Sequence, residues 1–432
     1  MPTTALPGFR DFYPEDFALR AHIFEVWRRV AARYGFEEYD GPPLESLDLY
    51  TQKSGEEIVG QLYEFTDKGD RRVALRPEMT PSLARMVAAR ANGLKKPIRW
   101  FSIPQLFRYE RQQRGRLKEH FQLNCDLIGD STPLVDAEII ALSIDVMRAF
   151  GLTSSDVKVR LSDRRVLTAL LLNAGVQTGQ LALVLQAIDR WEKLTQGAVD
   201  ELLGKAGLDQ ATIARIREIA DFERIVDIER ALGPGGDAVK SLGAVLEALS
   251  AMGLREFVQV DLKIVRGLDY YTGTVFELFD AGRTLRAICG GGRYDNLTGA
   301  IGGVELGAVG FGMGDVVLGE LLKEKGLAPA HAPSIDVFLA AITANDMPEL
   351  LALAHELRDA GIRVEYALGV QAVGKQLKLA DARNAAFSVV IGPDDREKHQ
   401  VIFKDLRAKG QMPVPRAEIV PELQKRLKDA AS

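Results

Sequence analysis

The sequence predicts an α+β fold: a sheet interrupted by a helical module, followed by a small α/β domain. Three observations carry this. Strand-like stretches stand on both sides of a block in which Leu, Ala and Ile recur at three- and four-residue spacing. The stretch "KEKGLAPAHAP", Lys323 to Pro333, is a Pro/Gly/Ala connector and the best domain boundary in the chain. Beyond it, strand and helix patterns alternate. At 432 residues the chain exceeds what one core serves; the expected division is 1–325, with a helical insertion at 164–255, and then 333–432.

Composition narrows the function classes. With 47% hydrophobic and 27% charged residues the chain reads as an ordinary globular protein. A formal net charge of −5 excludes an overall basic coat for nucleic acid and leaves only local patches. The N-terminal "MPTTALPGFRDFYPED" has neither the basic nor the apolar part of a secretory signal. No apolar run nears the roughly 20 residues of a membrane helix, so a cytoplasmic protein is expected. Cys125 and Cys289 lie far apart in strand-like stretches and read as buried thiols rather than a disulfide. The five histidines never fall at metal-ligand spacing, so no dedicated protein-held metal site is expected.

Taken in order, residues 17–34 repeat apolar side chains at helical period behind the helix start Pro14-Glu15-Asp16. "PSLARMVAARANG" is helix-like. "IRWFSIPQLFRYER" and "EHFQLNCDLIG" are strand candidates around a polar connection, with 106–111 and 120–128 expected to pair. The helix "PLVDAEIIALSIDVMRAFG" and the strand "VKVRLSD" precede the insertion, where packing or docking is the default role and no chemistry is visible. Strand character returns in "FVQVDLKIV", "GTVFELFD", "TLRAICGGGRYDNL" and "LGAVGFGMG". After the connector come "SIDVFLAAI", "MPELLALAHELRDAG", "IRVEYAL", "AVGKQLKLADARNA" and "FSVVIG", the pattern of a partly parallel sheet.

If the two strand candidates pair, Gln122, Asn124 and Asp126 share one face while Leu123, Cys125 and Leu127 share the other; Arg108 and Glu110 likewise share a face. The apolar flank "IRWFSIPQLF" suits a buried sheet, on which a polar face is expensive unless something polar occupies it. Arginine dominates the connection, at 108, 111, 114 and 116. A planar guanidinium can grip a carboxylate or phosphate with two parallel hydrogen bonds. In "LRPEMT", Glu78 stands just before a helix start, either as a ligand group or as a partner of the helix N-terminus. "VRGLDYYTGTVFEL" brings Arg266, Asp269, Tyr270 and Tyr271 together beside Gly267 and Gly273, as a binding loop or as packed tyrosines. Gly310, Gly312 and Gly314, at period two, bare one strand face for a flat ring or for close packing. Asp315 is expected to cap the next helix. Lys375, Lys378 and Arg383 suffice for a few phosphate contacts, and equally for a solvated helix face.

In this order, "GFRDFYPED", "LRPEMT", "FRYERQQRGRLKEHFQ", "RGLDYYTGTVFEL", "GGRYDNL" and "AVGFGMG" resemble the histidyl-tRNA synthetase family, a class II aminoacyl-tRNA synthetase family. The resemblance runs from Gly8 to the C-terminus and is weakest in the insertion; "RGLDYYTG" is its specific element. It implies an antiparallel catalytic sheet that activates histidine with ATP and passes it to the tRNA 3′ end, followed by an α/β anticodon-binding domain. It also implies a homodimer, with the segment near "GFRDFYPED" at the interface. By motif position, Glu78, Thr80 and Gln122, with Met79 between the first two, would hold the histidine α-ammonium. Asp126 and Tyr271, with Tyr270 beside them, would line the imidazole pocket. Arg108 and Arg266 would bracket the reacting carboxylate and the α-phosphate as the catalytic pair. Glu110, Arg111 and Arg116 would serve ATP and its Mg2+, with His120, Gly310, Gly312 and Gly314 around the nucleotide and Arg293 and Tyr294 in the neighbouring loop. Gln112, Arg114 and Lys118 would face the tRNA acceptor end.

The sequence departs from the family at four of these places. The family has glutamate where Asp126 stands, phenylalanine at His120, arginine at Val317 and proline at Gln112. These changes bear on the imidazole contact, on both walls of the adenine slot and on acceptor-end recognition. The alternative reading is a catalytically silent, synthetase-like regulatory subunit of histidine biosynthesis. Val317 favours it; "RGLDYYTG" and the terminal domain count against it.

Overall fold

Side chains alternate along a strand, so a sheet with one buried face needs every register line to agree on which face that is. In the computed structural model, which describes residues 4–51, 59–111, 113–192, 194–233, 236–266, 270–330, 335–369 and 371–431, the agreement is complete along one line. Phe101, Cys125, Phe311, Gly291, Phe276, Leu161 and Val260 lie abreast across seven strands. All seven are buried. The strands are β5 (Ile98–Ser102), β7 (Glu119–Ile128), β12 (Ala308–Gly314), β11 (Cys289–Arg293), β10 (Thr274–Asp280), β8 (Val157–Asp163) and β9 (Val258–Val260). With β1 (Glu37–Glu38) beyond β5, and β6 (Gln105–Phe107) off β7, they form one nine-stranded sheet. Its pairings are antiparallel except at the edges, where β1–β5 and β8–β9 are parallel.

The helices Pro14–Arg33 and Pro133–Ala149 contribute to the core on this face. Pro14 occupies the first turn of its helix, where a missing N–H costs nothing. Trp27, Val26 and Val30 from that helix and Ile140, Ile144 and Met147 from the other share one apolar cluster with the strands. A second, three-stranded sheet joins β2 (Leu44–Ser46), β4 (Arg72–Leu75) and β3 (Tyr63–Thr66); the sequence reading did not anticipate it.

After β8 the chain enters a run of helices: Arg164–Asn173, Leu181–Asp189, Gln196–Lys205, Gln210–Ala220, Ile225–Leu232 and Asp237–Ala251. The Asp163 carboxylate accepts from the backbone N–H groups of Arg165 and Val166, so the last residue of the strand caps the first helix. Val184, Leu203, Ile216 and Leu249 bury their side chains in the same cluster as the sheet.

Residues 1–329 and 330–432 are two compact units. The second is built on β13 (Val337–Ala341), β14 (Val364–Tyr366), β15 (Phe387–Ile391), β16 (Gln400–Asp405) and β17 (Gly410–Pro415), in the order β14-β13-β15-β16-β17. The first three are parallel, through the crossover helices Met347–Asp359 and Val373–Ala382. The last two are antiparallel and form a hairpin missed from sequence.

Two local expectations fail. The strand expected at 106–111 ends at Phe107, although the Arg108 N–H still reaches the Lys118 carbonyl at 3.0 Å. Asp315 does not cap its helix: it is the first helical residue, and its carboxylate accepts instead from the Phe121 N–H (2.9 Å) and from Arg10 (2.8 Å).

Candidate active site

The other face of the sheet carries the chemistry. One register line reads Trp100, Asp126, Gly310, Gly292, Val275; the next reads Ser102, Asn124, Gly312, Gly290, Glu277, Arg160. Gln122 stands opposite Gly314. Four glycines on two adjacent strands therefore make a floor without side chains, ringed by amides, carboxylates and arginines. The space is used. A Cβ at Gly310 would come within 2.0 Å of the Asp126 carboxylate, and one at Gly312 within 2.6 Å of the Gln122 amide. At Gly290 it would meet the Arg266 guanidinium at 2.1 Å.

Above this floor lie two cavities. The smaller, about 60 Å³, is lined by Glu78, Thr80, Asn124, Asp126, Tyr270, Tyr271 and Tyr294, with Gly310 below. The larger, about 600 Å³, is lined by Glu110, Arg116, His120, Gly314, Glu277, Arg286 and Val317 among others. Arg108, Arg266, Gln122, Gly290 and Gly312 line both. The two arginines singled out from sequence, 158 positions apart by number (266 − 108), thus stand where the two cavities join.

In the small cavity polar groups are paired. The Tyr270 hydroxyl donates to Glu78 at 2.9 Å and the Tyr294 hydroxyl to Asp126 at 2.5 Å. Burial pushes the Asp126 carboxyl up to about 7, against the pull of the Tyr294 hydrogen bond. Burial, then the Glu78 charge, likewise raises Tyr270, so its phenol stays a donor. Arg266 is held differently. It has φ +62°, a left-handed conformation that costs a non-glycine residue of order 1 kcal/mol. Its Nη1 donates to Glu277 at 2.5 Å, and although burial opposes the charge, Glu277 and Tyr271 outweigh it and keep the group above its ordinary pKa. Arg108 donates to the neutral Pro77 carbonyl at 2.9 Å.

In the large cavity Glu110 pairs with Arg116. His120 is driven down to about 3 by burial, then by Arg108 and Arg10, so at neutral pH it presents an uncharged ring. Val317, where the resemblance calls for an arginine, is buried. A Cβ at Gly115, in the turn between β6 and β7, would touch it at 3.2 Å.

Several expected residues stand elsewhere. Met79 is buried near Arg76 and Gly41 and lines neither cavity. Arg111 is exposed and also lines neither. Arg293 is not in a loop: it ends β11, buried, with its guanidinium on Asp136 (3.1 Å) and Asp295 (3.0 Å), where it ties the sheet to the helix behind it. Arg114 pairs with Glu320 and Glu324 of the helix Asp315–Glu324, and Lys118 lies 4.1 Å from the centre of the Tyr109 ring. Gln112 and Asp269 lie outside the described residues. In the second unit, Arg383 pairs with Glu365 at 3.4 Å.

Sequence reasoning missed four cavity residues: Asn124 as a lining group, Tyr294 as the donor to Asp126, Glu277 and Arg286. It also missed that Ile188, Asp189 and Glu192 of the insertion line the large cavity. Glu192 is held there by Arg160, at 2.6 and 2.8 Å. Alternation had already set Asn124 on the polar face and could have found Glu277; the others depend on contacts between distant segments.

An antiparallel sheet of this topology, bearing its ligand cavities on the face opposite the helices Pro14–Arg33 and Pro133–Ala149 and followed by a separate α/β unit, is the architecture of a class II aminoacyl-tRNA synthetase. Within that class the relationships are specific. Residues 8–315 match the family model for histidyl-tRNA synthetase, and residues 336–426 match an anticodon binding domain. The chain is 46% identical to a histidine–tRNA ligase of Opitutus terrae, covering 96% of each protein. It is 39% identical to the chloroplastic/mitochondrial histidine–tRNA ligase of Arabidopsis thaliana, covering 95% of this chain and 85% of that one. The crystal structure of histidyl-tRNA synthetase from a Nostoc species superposes with a TM-score of 0.83 at 26% identity, covering 99% of this chain and all of that one. The chain belongs to the histidyl-tRNA synthetase family. Nothing in these relationships favours the silent regulatory alternative. Aminoacyl-tRNA synthetases use ATP, and among the described residues no helix is long and apolar enough to cross a membrane.

Proposed function

We propose that this chain ligates L-histidine to its cognate tRNA in two steps: formation of histidyl-adenylate from histidine and ATP, then transfer to the tRNA 3′ end. The observation that carries the reading is the position of Arg108 and Arg266 at the junction of a small polar cavity and a large one. Two anions must meet there. A histidine carboxylate oxygen attacks the α-phosphorus, the bond to the β-phosphate oxygen breaks, and pyrophosphate leaves with the electron pair. Fixed guanidinium groups offset the repulsion and need no reorganisation as charge moves.

Glu78, Thr80 and Gln122 would receive the α-ammonium, and Asp126 with Tyr270, Tyr271 and Tyr294 the imidazole. ATP would occupy the large cavity, with its phosphates toward Arg116 and its base toward His120 and the glycine floor. Glu110 would hold the Mg2+ that accompanies ATP, which would supply positive charge to offset the negative charge of the departing pyrophosphate. Glu110 is one of several carboxylates lining this cavity, and few protein ligands are needed when the metal rides on the nucleotide. Gln112, Arg114 and Lys118 would meet the acceptor end, and residues 333–432 the anticodon. We place the enzyme in the cytoplasm and read it as a homodimer, the second reading supported by the exposed Leu6, Tyr13 and Phe17 around the first helix.

Amino-acid-dependent exchange of pyrophosphate into ATP, measured with each of the twenty amino acids, tests the proposal. Exchange is expected with histidine and at no more than about 1% of that rate with any other. Exchange with none, or equally with several, would remove it.

A further inference from the structure

Six cations line the large cavity: Arg108, Arg116, Arg160, Lys263, Arg266 and Arg286. Four have carboxylate partners: Arg116 with Glu110, Arg160 with Asp261 and Glu192, Lys263 with Asp261, and Arg266 with Glu277. Among the described residues the other two are bonded to neutral oxygens, Arg108 to the Pro77 carbonyl and Arg286 to the Gln113 side-chain amide at 2.5 Å. A guanidinium without a carboxylate partner keeps donors for a ligand, and Arg286 is exposed to the cavity that it lines. Arg108 has such a ligand in the reaction already proposed. Arg286 does not.

Arg286 belongs to the connection between β10 and β11, a different segment from those that carry Arg116, His120 and Val317. It is nevertheless beside them. A Cβ at Gly115 would lie 3.2 Å from Val317 and 3.7 Å from Arg286, so the turn, the valine and the arginine converge on one spot. Burial, then the Arg116 charge, lowers the Arg286 pKa, with Glu110 opposing. The cavity that Arg286 lines also takes in Leu117, Val316, Val317, Ala287 and Ile288, with Gly115 and Gly314. Such a wall suits a flat, weakly polar ring better than a triphosphate. A guanidinium, planar and weakly hydrated, can lie over a ring face where a compact ammonium cannot.

We propose that Arg286 is a nucleotide-binding residue that covers the adenine ring of ATP, entering the slot from the β10–β11 connection while Val317 forms its apolar side. The proposal rests on the ligase reading and deepens it. Pyrophosphate exchange in the intact enzyme tests it, with the parent protein as the control that separates the two: a parent inactive with histidine would sink the ligase reading itself. With an active parent, Arg286→Ala should raise the KM for ATP about tenfold or more, leave the KM for histidine within about twofold, and melt within a few degrees of the parent. Arg286→Lys, which keeps the charge and loses the plane, should stay impaired. An unchanged KM for ATP in the alanine variant would overturn the proposal. So would full recovery with lysine, and so would equal rises in both KM values.

Discussion

If Asp126 receives the imidazole as proposed, it is a side chain that trades stability for recognition. It is buried and receives a hydrogen bond from Tyr294, and its carboxyl titrates at about 7, against an ordinary value of 3.8. A carboxyl whose folded pKa is raised stabilises the fold fully below the unfolded value, and that contribution is lost as pH rises from about 4 to about 7. Asn at this position carries no charge at any pH. Asp126→Asn should therefore be more stable than the parent at pH 8, with the gap closing as pH falls toward 4; thermal or urea unfolding at the two pH values reads this directly. The cost should appear in substrate binding. A hydrogen bond to a charged group is worth about 1.5–3 kcal/mol, so the KM for histidine at pH 8 should rise about tenfold or more. A variant that gains no stability at pH 8 would mean that the parent carboxyl is not held at a raised pKa. One that keeps the parent KM would remove Asp126 from imidazole recognition.

At the scale of the strand, β11 presents three successive glycines to two opposite faces, and the two faces should respond differently to one methyl group. Gly290 faces the cavity, and the nearest atoms to a Cβ there belong to the Arg266 guanidinium, the far end of a long side chain. Gly290→Ala should fold, melt close to the parent, and lower histidine-dependent exchange by about 10²-fold through displacement of that cation. Gly291 faces the core, where a Cβ would lie 2.3 Å from the Gly310 carbonyl and 2.7 Å from the Phe311 Cβ. Backbone cannot step aside so readily, and Gly291→Ala should lose about 1–3 kcal/mol of stability by overpacking. Equal stability losses in the two variants would contradict the assignment of faces. Strands β7 and β12 of the same sheet show what could be read in advance. The alternation of Gln122, Asn124 and Asp126 was legible because period two is a local property. That Gly310, Gly312 and Gly314 lie directly opposite those three residues is a matter of register between strands nearly two hundred residues apart, and no local pattern encodes it. Tyr294 and Arg286 were missed for that reason, and Arg293 was misread as a loop residue because its buried partner, Asp136, comes from a helix far earlier in the chain.

At the scale of the whole molecule, the two units have separate cores. Apolar side chains of the second unit, among them Val337, Leu353, Val389, Phe403 and Leu423, cluster only with one another, and the large cluster of the first unit contains none of them. Both cavities are lined entirely by residues up to Val317. Activation of histidine should then need only the first unit, whereas capture of tRNA should draw on both. Joining two binding surfaces raises affinity by about 10²–10⁴-fold through effective concentration alone. A chain ending at Pro329 is accordingly expected to retain pyrophosphate exchange within about threefold of the parent. Its kcat/KM for charging tRNA should fall by about 10²-fold or more, chiefly through KM. If Lys375 and Lys378 meet tRNA phosphates, the dependence on salt should also weaken, because each such contact adds to the slope of log K against log salt. If exchange and charging fell together by the same factor, the second unit would be supporting the catalytic sheet rather than holding the tRNA.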